Sequence, residues 1–172
     1  GVAAALAGAL ITSTPPGVVQ IGTFDPTLSK PAAPVRTEGT IFKGAGFNRR
    51  DVYFPSGDPN GVDRLHGWFY TPANTLPNGQ SPPVVLMASG LGAQMDFGMD
   101  AYAEVFAKNG FAALLFDYRC FGSSDGTPRN WVDPWRHLDD WRAALKTLAP
   151  GGKLANEVDT SKLGLWGSSM SS

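Results

Sequence analysis

The middle of the chain alternates short apolar runs with a segment of helical periodicity. Residues 83–87 and 111–116 are continuous apolar runs, of the kind that form strands buried on both faces. Between them, apolar residues from Tyr102 to Phe106 recur with the spacing of one helix face, and Gly110 supplies a stop signal. This order predicts a strand, a helix and a second strand, which together make a βαβ unit.

Further elements are predicted on both sides of this unit. Residues 51–54 and 65–70 are rich in aromatic and β-branched side chains and flank a turn-forming Pro/Gly segment, so they predict an antiparallel pair of strands. Helical spacing over residues 138–148 predicts a second helix, and residues 163–166 predict a short apolar strand that we expect to be buried. Such alternation favours an α/β fold with a mostly parallel central sheet, in which ligands bind at the carboxyl ends of the strands.

Composition and charge narrow the possible functions. A chain of 172 residues with 42% apolar and 17% charged residues is long and apolar enough for one packed domain. Its 14 basic and 15 acidic residues give a formal charge of -1 without a basic stripe, so we exclude nucleic acid as a partner. Cys120, His66 and His137 are the only cysteine and histidines, so we expect no dedicated zinc site.

The N-terminal segment differs from the rest of the chain. Residues 1–11 form an apolar run that is too short to span a membrane. It fits either the end of a targeting signal or an alanine-rich segment that packs on the domain. The proline-rich sequence that follows lacks periodicity and predicts an extended arm. We therefore assign residues 1–36 to an N-terminal segment and arm, and residues 37–172 to the domain.

The last predicted strand runs directly into Gly167-Ser168-Ser169-Met170-Ser171. This string fits the nucleophile-elbow pattern G-x-S-x-G, with serine in place of the second glycine. The sharp turn of an elbow brings together the backbones two residues before and two residues after the serine, so both positions need small side chains. The pattern predicts Ser169 as a nucleophile. The alternative is a serine-rich turn that caps the next helix, since serine is also a preferred N-cap.

A second candidate element is the turn Ser89-Gly90-Leu91-Gly92, which follows the first central strand. Acyl transfer through a tetrahedral intermediate needs two backbone N–H donors at the developing oxyanion, one just after the nucleophile and one from this loop. Met170 and Leu91 are the matching positions. Taken alone, the turn is better explained as an ordinary strand-to-helix connection whose glycines relieve crowding.

The chain resembles the α/β-hydrolase family in three motifs that occur in the expected order. They are Ser89-Gly90-Leu91-Gly92, where many members have His-Gly-x-Gly, the loop over residues 117–126, which is similar to D-x-R-G-x-G-x-S, and the serine elbow. The resemblance covers residues 50–172 and is greatest to esterase-like and dienelactone-hydrolase-like members. It implies the first five strands of that fold, an acyl-serine reaction on a small-molecule ester or related acyl bond, and no cofactor.

Within the second motif, the resemblance implies that Asp117, Arg119 and Ser124 stabilise the loop and take no part in the chemistry. Cys120 departs from the pattern, because the family usually has glycine there. We expect a local backbone rearrangement at this position and no functional thiol. Ser89 stands where a histidine is common, which should leave the backbone donor of Leu91 intact.

The catalytic acid and histidine of the family follow the serine along the chain, and no residue of either type follows Ser169 here. We interpret His66 and His137, which precede it, as structural, and Asp139 and Asp140 as the solvated face of a helix. A serine hydroxyl is a poor nucleophile without an adjacent base. We therefore expect the 172 residues to be the N-terminal portion of a longer enzyme and to be inactive alone.

Two other hypotheses remain open. The first is a truncated or degenerate hydrolase homologue without catalytic function. The second is a dinucleotide-binding oxidoreductase, because Gly90 and Gly92 follow a strand and Asp117 ends the next one. Met95 weighs against it, since a large side chain at the third small position would obstruct the contact between helix and strand.

Overall fold

The computed structural model of the protein describes residues 38–59 and 62–171. The predicted apolar segment and arm lie outside the described residues, as does the proposed boundary at residue 36. Neither of the two α-helices in the described part of the chain is long and apolar enough to cross a membrane.

The described residues form one mixed sheet with two α-helices. The elements are β1 (Ile41–Gly44), β2 (Phe47–Pro55), β3 (Arg64–Pro72), β4 (Pro83–Ala88), α1 (Met99–Lys108), β5 (Ala112–Phe116), α2 (Pro134–Leu148) and β6 (Asp159–Gly167). Their order in the sheet is β1-β2-β3-β5-β4-β6. Strand β4 pairs in parallel with β5 and β6, whereas the pairs β1–β2, β2–β3 and β3–β5 are antiparallel.

Strands β4 and β5 are buried on both faces, as their continuous apolar runs predict. Val84 and Leu86 of β4 pack into one cluster with α2, while Val85 and Met87 pack into another with α1. Successive side chains of a strand point to opposite faces, so one apolar run serves both clusters. The two helices therefore cover the two faces of the sheet, and the loops after β4 and β6 open at its carboxyl edge.

Strand β6 is paired as predicted, but within the described residues it is not buried. It is the outermost strand next to β4, and Leu165 is 62% exposed. Residues of an edge strand lack the second neighbour that buries β4 and β5, and apolar periodicity alone does not distinguish these positions. An edge of this kind offers unpaired backbone groups for pairing with further chain.

Helix α2 begins earlier than its apolar spacing predicts, and it buries one of the two aspartates that we predicted to be solvated. Asp133 caps its first turn, where the side chain accepts hydrogen bonds from the backbone N–H groups of Trp135 and Arg136 at 3.0 and 3.2 Å. Asp140 is fully buried and accepts a hydrogen bond of 2.9 Å from the backbone N–H of Arg119. It therefore does not belong to a solvated face, because this side of α2 packs on the loop that follows β5.

Candidate active site

The two predicted catalytic segments meet at the carboxyl edge of the parallel strands. Ala88, the last residue of β4, pairs with Gly167, the last residue of β6. The Gly90 turn (residues 89–92) and the Ser169 turn (residues 167–171) therefore start side by side. A Cβ added at Gly90 would lie 2.9 Å from Cβ of Ser169, so the turns touch at a distance that only glycine permits there.

The backbone of Ser169 is unusual for a residue other than glycine. Its φ angle is +56°, in the left-handed region that few such residues occupy and that often marks functional sites. The backbone N–H of Ser171 donates to the Ser168 carbonyl at 3.2 Å and closes the turn. A Cβ at Gly167 would overlap the Ser171 carbonyl. The chain thus passes from β6 into a sharp turn with Ser169 exposed at its tip.

Two hydrogen bonds within residues 89–94 stabilise the Gly90 turn. Buried Ser89 donates its hydroxyl hydrogen to the Gln94 carbonyl at 2.9 Å. Inside the loop, the N–H of Ala93 donates to the Gly90 carbonyl at 3.2 Å. Ser89 therefore replaces the histidine common in the family with a short side chain that bonds within the loop. Leu91, the predicted donor, lies on the exposed surface of this turn.

The buried side chain of Asp117 stabilises the segment that follows the Gly90 turn. Its carboxylate accepts a hydrogen bond of 2.8 Å from the backbone N–H of Met95. Burial raises the pKa of Asp117 to about 6. The side chain that the dinucleotide hypothesis assigns to a ribose is therefore enclosed by the protein, and Met95 packs in the core beside it.

The loop after β5 has the supporting contacts that its motif implies. The Ser124 hydroxyl donates to the Asp117 carbonyl at 2.6 Å and accepts from the backbone N–H of His66 at 2.8 Å. The Arg119 guanidinium forms an ion pair of 2.9 Å with Asp140. Arg129, just beyond the motif, donates to the Ser124 carbonyl at 2.6 Å. These bonds fix the loop next to the predicted site.

The two histidines are both buried, and each contacts another side chain. His66 Nε2 lies 2.7 Å from Oδ1 of Asp51 on the neighbouring strand. The His137 ring stacks on Tyr118 with ring centroids 4.1 Å apart, and burial lowers the pKa of His137. These contacts fit the structural roles that we expected for both side chains.

Three side chains link the Ser169 turn to the rest of the site, and two of them were not predicted. Trp141 of α2 donates its indole N–H to Tyr118 Oη at 2.8 Å. Tyr118 Oη lies 2.5 Å from Ser171 Oγ, and Ser171 Oγ in turn donates to the Ser89 carbonyl. Tyr118 occupies the variable position of the D-x-R motif, where the pattern carries no information about side chains.

Cys120 adopts a left-handed backbone conformation with φ of +71°. This is a conformation that glycine adopts without strain and that other residues rarely adopt. The side chain is buried, and burial raises the pKa of the thiol. Both features disfavour a reactive thiolate.

The burial of Cys120 leads to a test of thiol reactivity. We expect the native protein at pH 8 to release less than about a tenth of one equivalent of thionitrobenzoate from Ellman's reagent, because the reactive species is an accessible thiolate. Unfolding in guanidinium chloride should release one equivalent per cysteine. Rapid stoichiometric reaction of the native protein would show that the thiol is accessible.

Among residues 38–59 and 62–171, no group of three His, Cys, Asp or Glu side chains is arranged to hold a metal ion. The exposed serine at a tight turn and the adjacent Gly90 turn are the elements that suit acyl transfer.

No protein-family model matches the chain. It is 34% identical over 119 residues to the quorum-quenching protein AidA of Acinetobacter baumannii, a match that covers 69% of this chain and 35% of AidA. It is 41% identical over 91 residues to the thiohydrolase aneE of Aspergillus aculeatus, which covers 52% of this chain and 27% of aneE. The chain thus matches between about a quarter and about a third of the length of these curated relatives.

A solved structure agrees with the fold described above. The α/β hydrolase GrgF from Penicillium sp. sh18 matches with a TM-score of 0.54 and 29% sequence identity, over 69% of this chain and 37% of GrgF. Some further curated relatives are named polyketide transferases or acyltransferases. The named activities of these proteins thus include hydrolysis and transfer.

Proposed function

We propose that this chain, a member of the α/β-hydrolase superfamily, carries the nucleophile and the oxyanion hole of a serine hydrolase that cleaves an ester or thioester of a small molecule. The observation that carries the proposal is the left-handed Ser169 at the end of β6, in contact with the Gly90 turn. A strained, exposed serine on a tight strand-to-helix turn is the arrangement in which an α/β-hydrolase presents its nucleophile.

In the proposed reaction, Ser169 Oγ attacks the acyl carbon while a base accepts the hydroxyl proton. The backbone N–H groups of Met170 and Leu91 donate to the oxyanion that forms on the carbonyl oxygen. The tetrahedral intermediate then expels the alcohol or thiol, which takes up that proton. Water attacks the acyl-serine in the second half of the cycle, releases the acid and regenerates the hydroxyl.

We assign the base and its carboxylate partner to sequence beyond Ser172. In this fold the triad is ordered Ser, then Asp or Glu, then His, and no histidine follows Ser169 within the chain. The chain matches only 35% of AidA and 27% of aneE, which supports this assignment. We propose that residues 1–172 alone, without that further sequence, are inactive.

The acyl acceptor decides between two related functions. The name of aneE, a thiohydrolase, favours hydrolysis, whereas relatives named polyketide transferases favour transfer of the acyl group to an acceptor other than water. Both functions share the acyl-serine step, so the role of Ser169 is the same in each. Release of free acid in the absence of any added acceptor favours the hydrolase.

Labelling with a fluorophosphonate tests the proposed nucleophile. We expect the full-length protein to gain the mass of one phosphonyl adduct, and peptide mapping to locate it on Ser169. An activated serine reacts because its base removes the hydroxyl proton as phosphorus is attacked. An unlabelled protein would favour the hypothesis of a non-catalytic homologue, and an adduct on another residue would refute Ser169 as the nucleophile.

A further inference from the structure

We propose that the Ser171 hydroxyl is a positioning group for the oxyanion hole, because it holds the Ser169 turn and the Gly90 turn at a fixed separation. The inference rests on the proposed function, which gives Met170 and Leu91 the two oxyanion donors. It concerns the serine that stands where the elbow pattern has its second glycine.

The bond from Ser171 joins the two segments that supply the donors. Its hydroxyl donates to the Ser89 carbonyl, across 82 positions of sequence. Ser171 directly follows Met170, and Ser89 lies two residues before Leu91. Catalytic geometry must hold within about 0.5 Å, and oxyanion donors act at about 2.7–3.1 Å. A direct hydrogen bond between the two segments therefore helps to fix the positions of the Met170 and Leu91 N–H groups.

The direction of hydrogen bonding along the chain Trp141–Tyr118–Ser171–Ser89 follows from the groups at its ends. An indole N–H can only donate, so Tyr118 Oη accepts from Trp141 at 2.8 Å. The phenol then uses its own hydrogen for Ser171 Oγ, 2.5 Å away. The Ser171 hydrogen is left for the Ser89 carbonyl, which can only accept. Each hydroxyl thus donates once and accepts once.

The chain is anchored in rigid parts of the fold. Trp141 lies on α2, and Tyr118 follows β5 and is buried. Burial raises the pKa of Tyr118, so the phenol keeps its hydrogen at neutral pH. Hydrogen bonds in series polarise one another, which strengthens the last bond to the Ser89 carbonyl. The helix and the central sheet thereby hold the Ser171 hydroxyl in place.

The size of Ser171 and its hydroxyl are separate requirements. A tight turn needs a small residue at this position, and alanine meets that need as well as serine does. Ser171→Ala removes the bond to Ser89 and the acceptor for Tyr118 while it keeps Cβ. A matched control is Ser161→Ala near the other end of β6, where the hydroxyl donates to Asp159 at 2.6 Å. Both substitutions remove a hydroxyl that donates one hydrogen bond.

Steady-state kinetics of the full-length enzyme on a p-nitrophenyl ester test the proposal. For Ser171→Ala we expect kcat to fall by about 10- to 30-fold with KM within about twofold, because the oxyanion exists only after attack. The inhibition constant of an alkyl trifluoromethyl ketone, which forms a tetrahedral oxyanion with serine, should rise by about the same factor. Ser161→Ala should stay within about twofold of the wild type in kcat and KM.

Tyr118→Phe provides a second variant in which Ser171 is unchanged. It should lower kcat by about threefold, and the double variant should be no slower than Ser171→Ala alone, because both changes act through one chain of bonds. Additive effects of the two substitutions would overturn the proposed chain. So would a kcat of Ser171→Ala within about twofold of the wild type, or a lower Tm with unchanged kinetics.

Turnover by Ser169→Ala distinguishes failure of this inference from failure of the proposed function. Full turnover by Ser169→Ala would refute both. Loss of turnover in Ser169→Ala together with normal turnover in Ser171→Ala would keep the nucleophile and refute the positioning role of the hydroxyl.

Discussion

Replacing Ser169 by alanine should lower kcat/KM of the full-length enzyme by at least about ten-thousand-fold, because removal of the nucleophile ends the covalent pathway. The side chain is exposed, so Ser169→Ala should change the free energy of unfolding by no more than about 1 kcal/mol. Alanine also enters a position with φ of +56° that serine already occupies. Steady-state kinetics and urea unfolding measured on the same samples check both expectations.

The neighbouring Ser168 offers a matched control for this substitution. It is also exposed, and its backbone carbonyl accepts the bond that closes the turn. Ser168→Ala keeps that carbonyl, so its kcat/KM should stay within about threefold of the wild type. If Ser168→Ala is the inactive variant and Ser169→Ala is active, the serine elbow is assigned to the wrong residue.

The elements that sequence patterns predict well are those whose burial is complete. Strands β4 and β5 appear as continuous apolar runs because α1 and α2 cover both faces of the sheet. Strand β1 was not predicted, since its four residues are mostly exposed and lack alternation. Apolar residues likewise identify β6 as a strand, but they do not identify the elements that pack beside it.

Long-range contacts limit what the sequence predicts of the candidate site. The elbow and the Gly90 turn are local patterns, and each can be recognised from a few consecutive residues. The bonds of Tyr118 join residues 23 and 53 positions apart, so they depend on how α2 and β6 pack against the sheet. Buried Asp140 escaped prediction for the same reason, as its partner Arg119 lies 21 positions away.

A substitution at Gly167 tests whether the Ser169 turn is as tight as the proposed function requires. A Cβ at this position would overlap the backbone carbonyl of Ser171. Neither backbone segment can move easily. Gly167 pairs with Ala88 of β4, and the N–H of Ser171 is hydrogen-bonded to the Ser168 carbonyl. Forcing extra atoms into packed structure costs about 1–3 kcal/mol, and more where backbone must move. The turn can relieve the overlap only by displacing Ser169.

We therefore expect Gly167→Ala to lower the free energy of unfolding by about 3 kcal/mol and kcat/KM by at least about a hundredfold, since misplacement of a reacting group by about 1 Å has an effect of this size. Gly164→Ala is the control within the same strand, because a Cβ there would meet no atom within 4 Å. It should change stability by less than about 1 kcal/mol and leave activity intact. Equal activity of the two variants would show that the Ser169 turn tolerates a Cβ at Gly167, and the elbow geometry would then lose its main steric support.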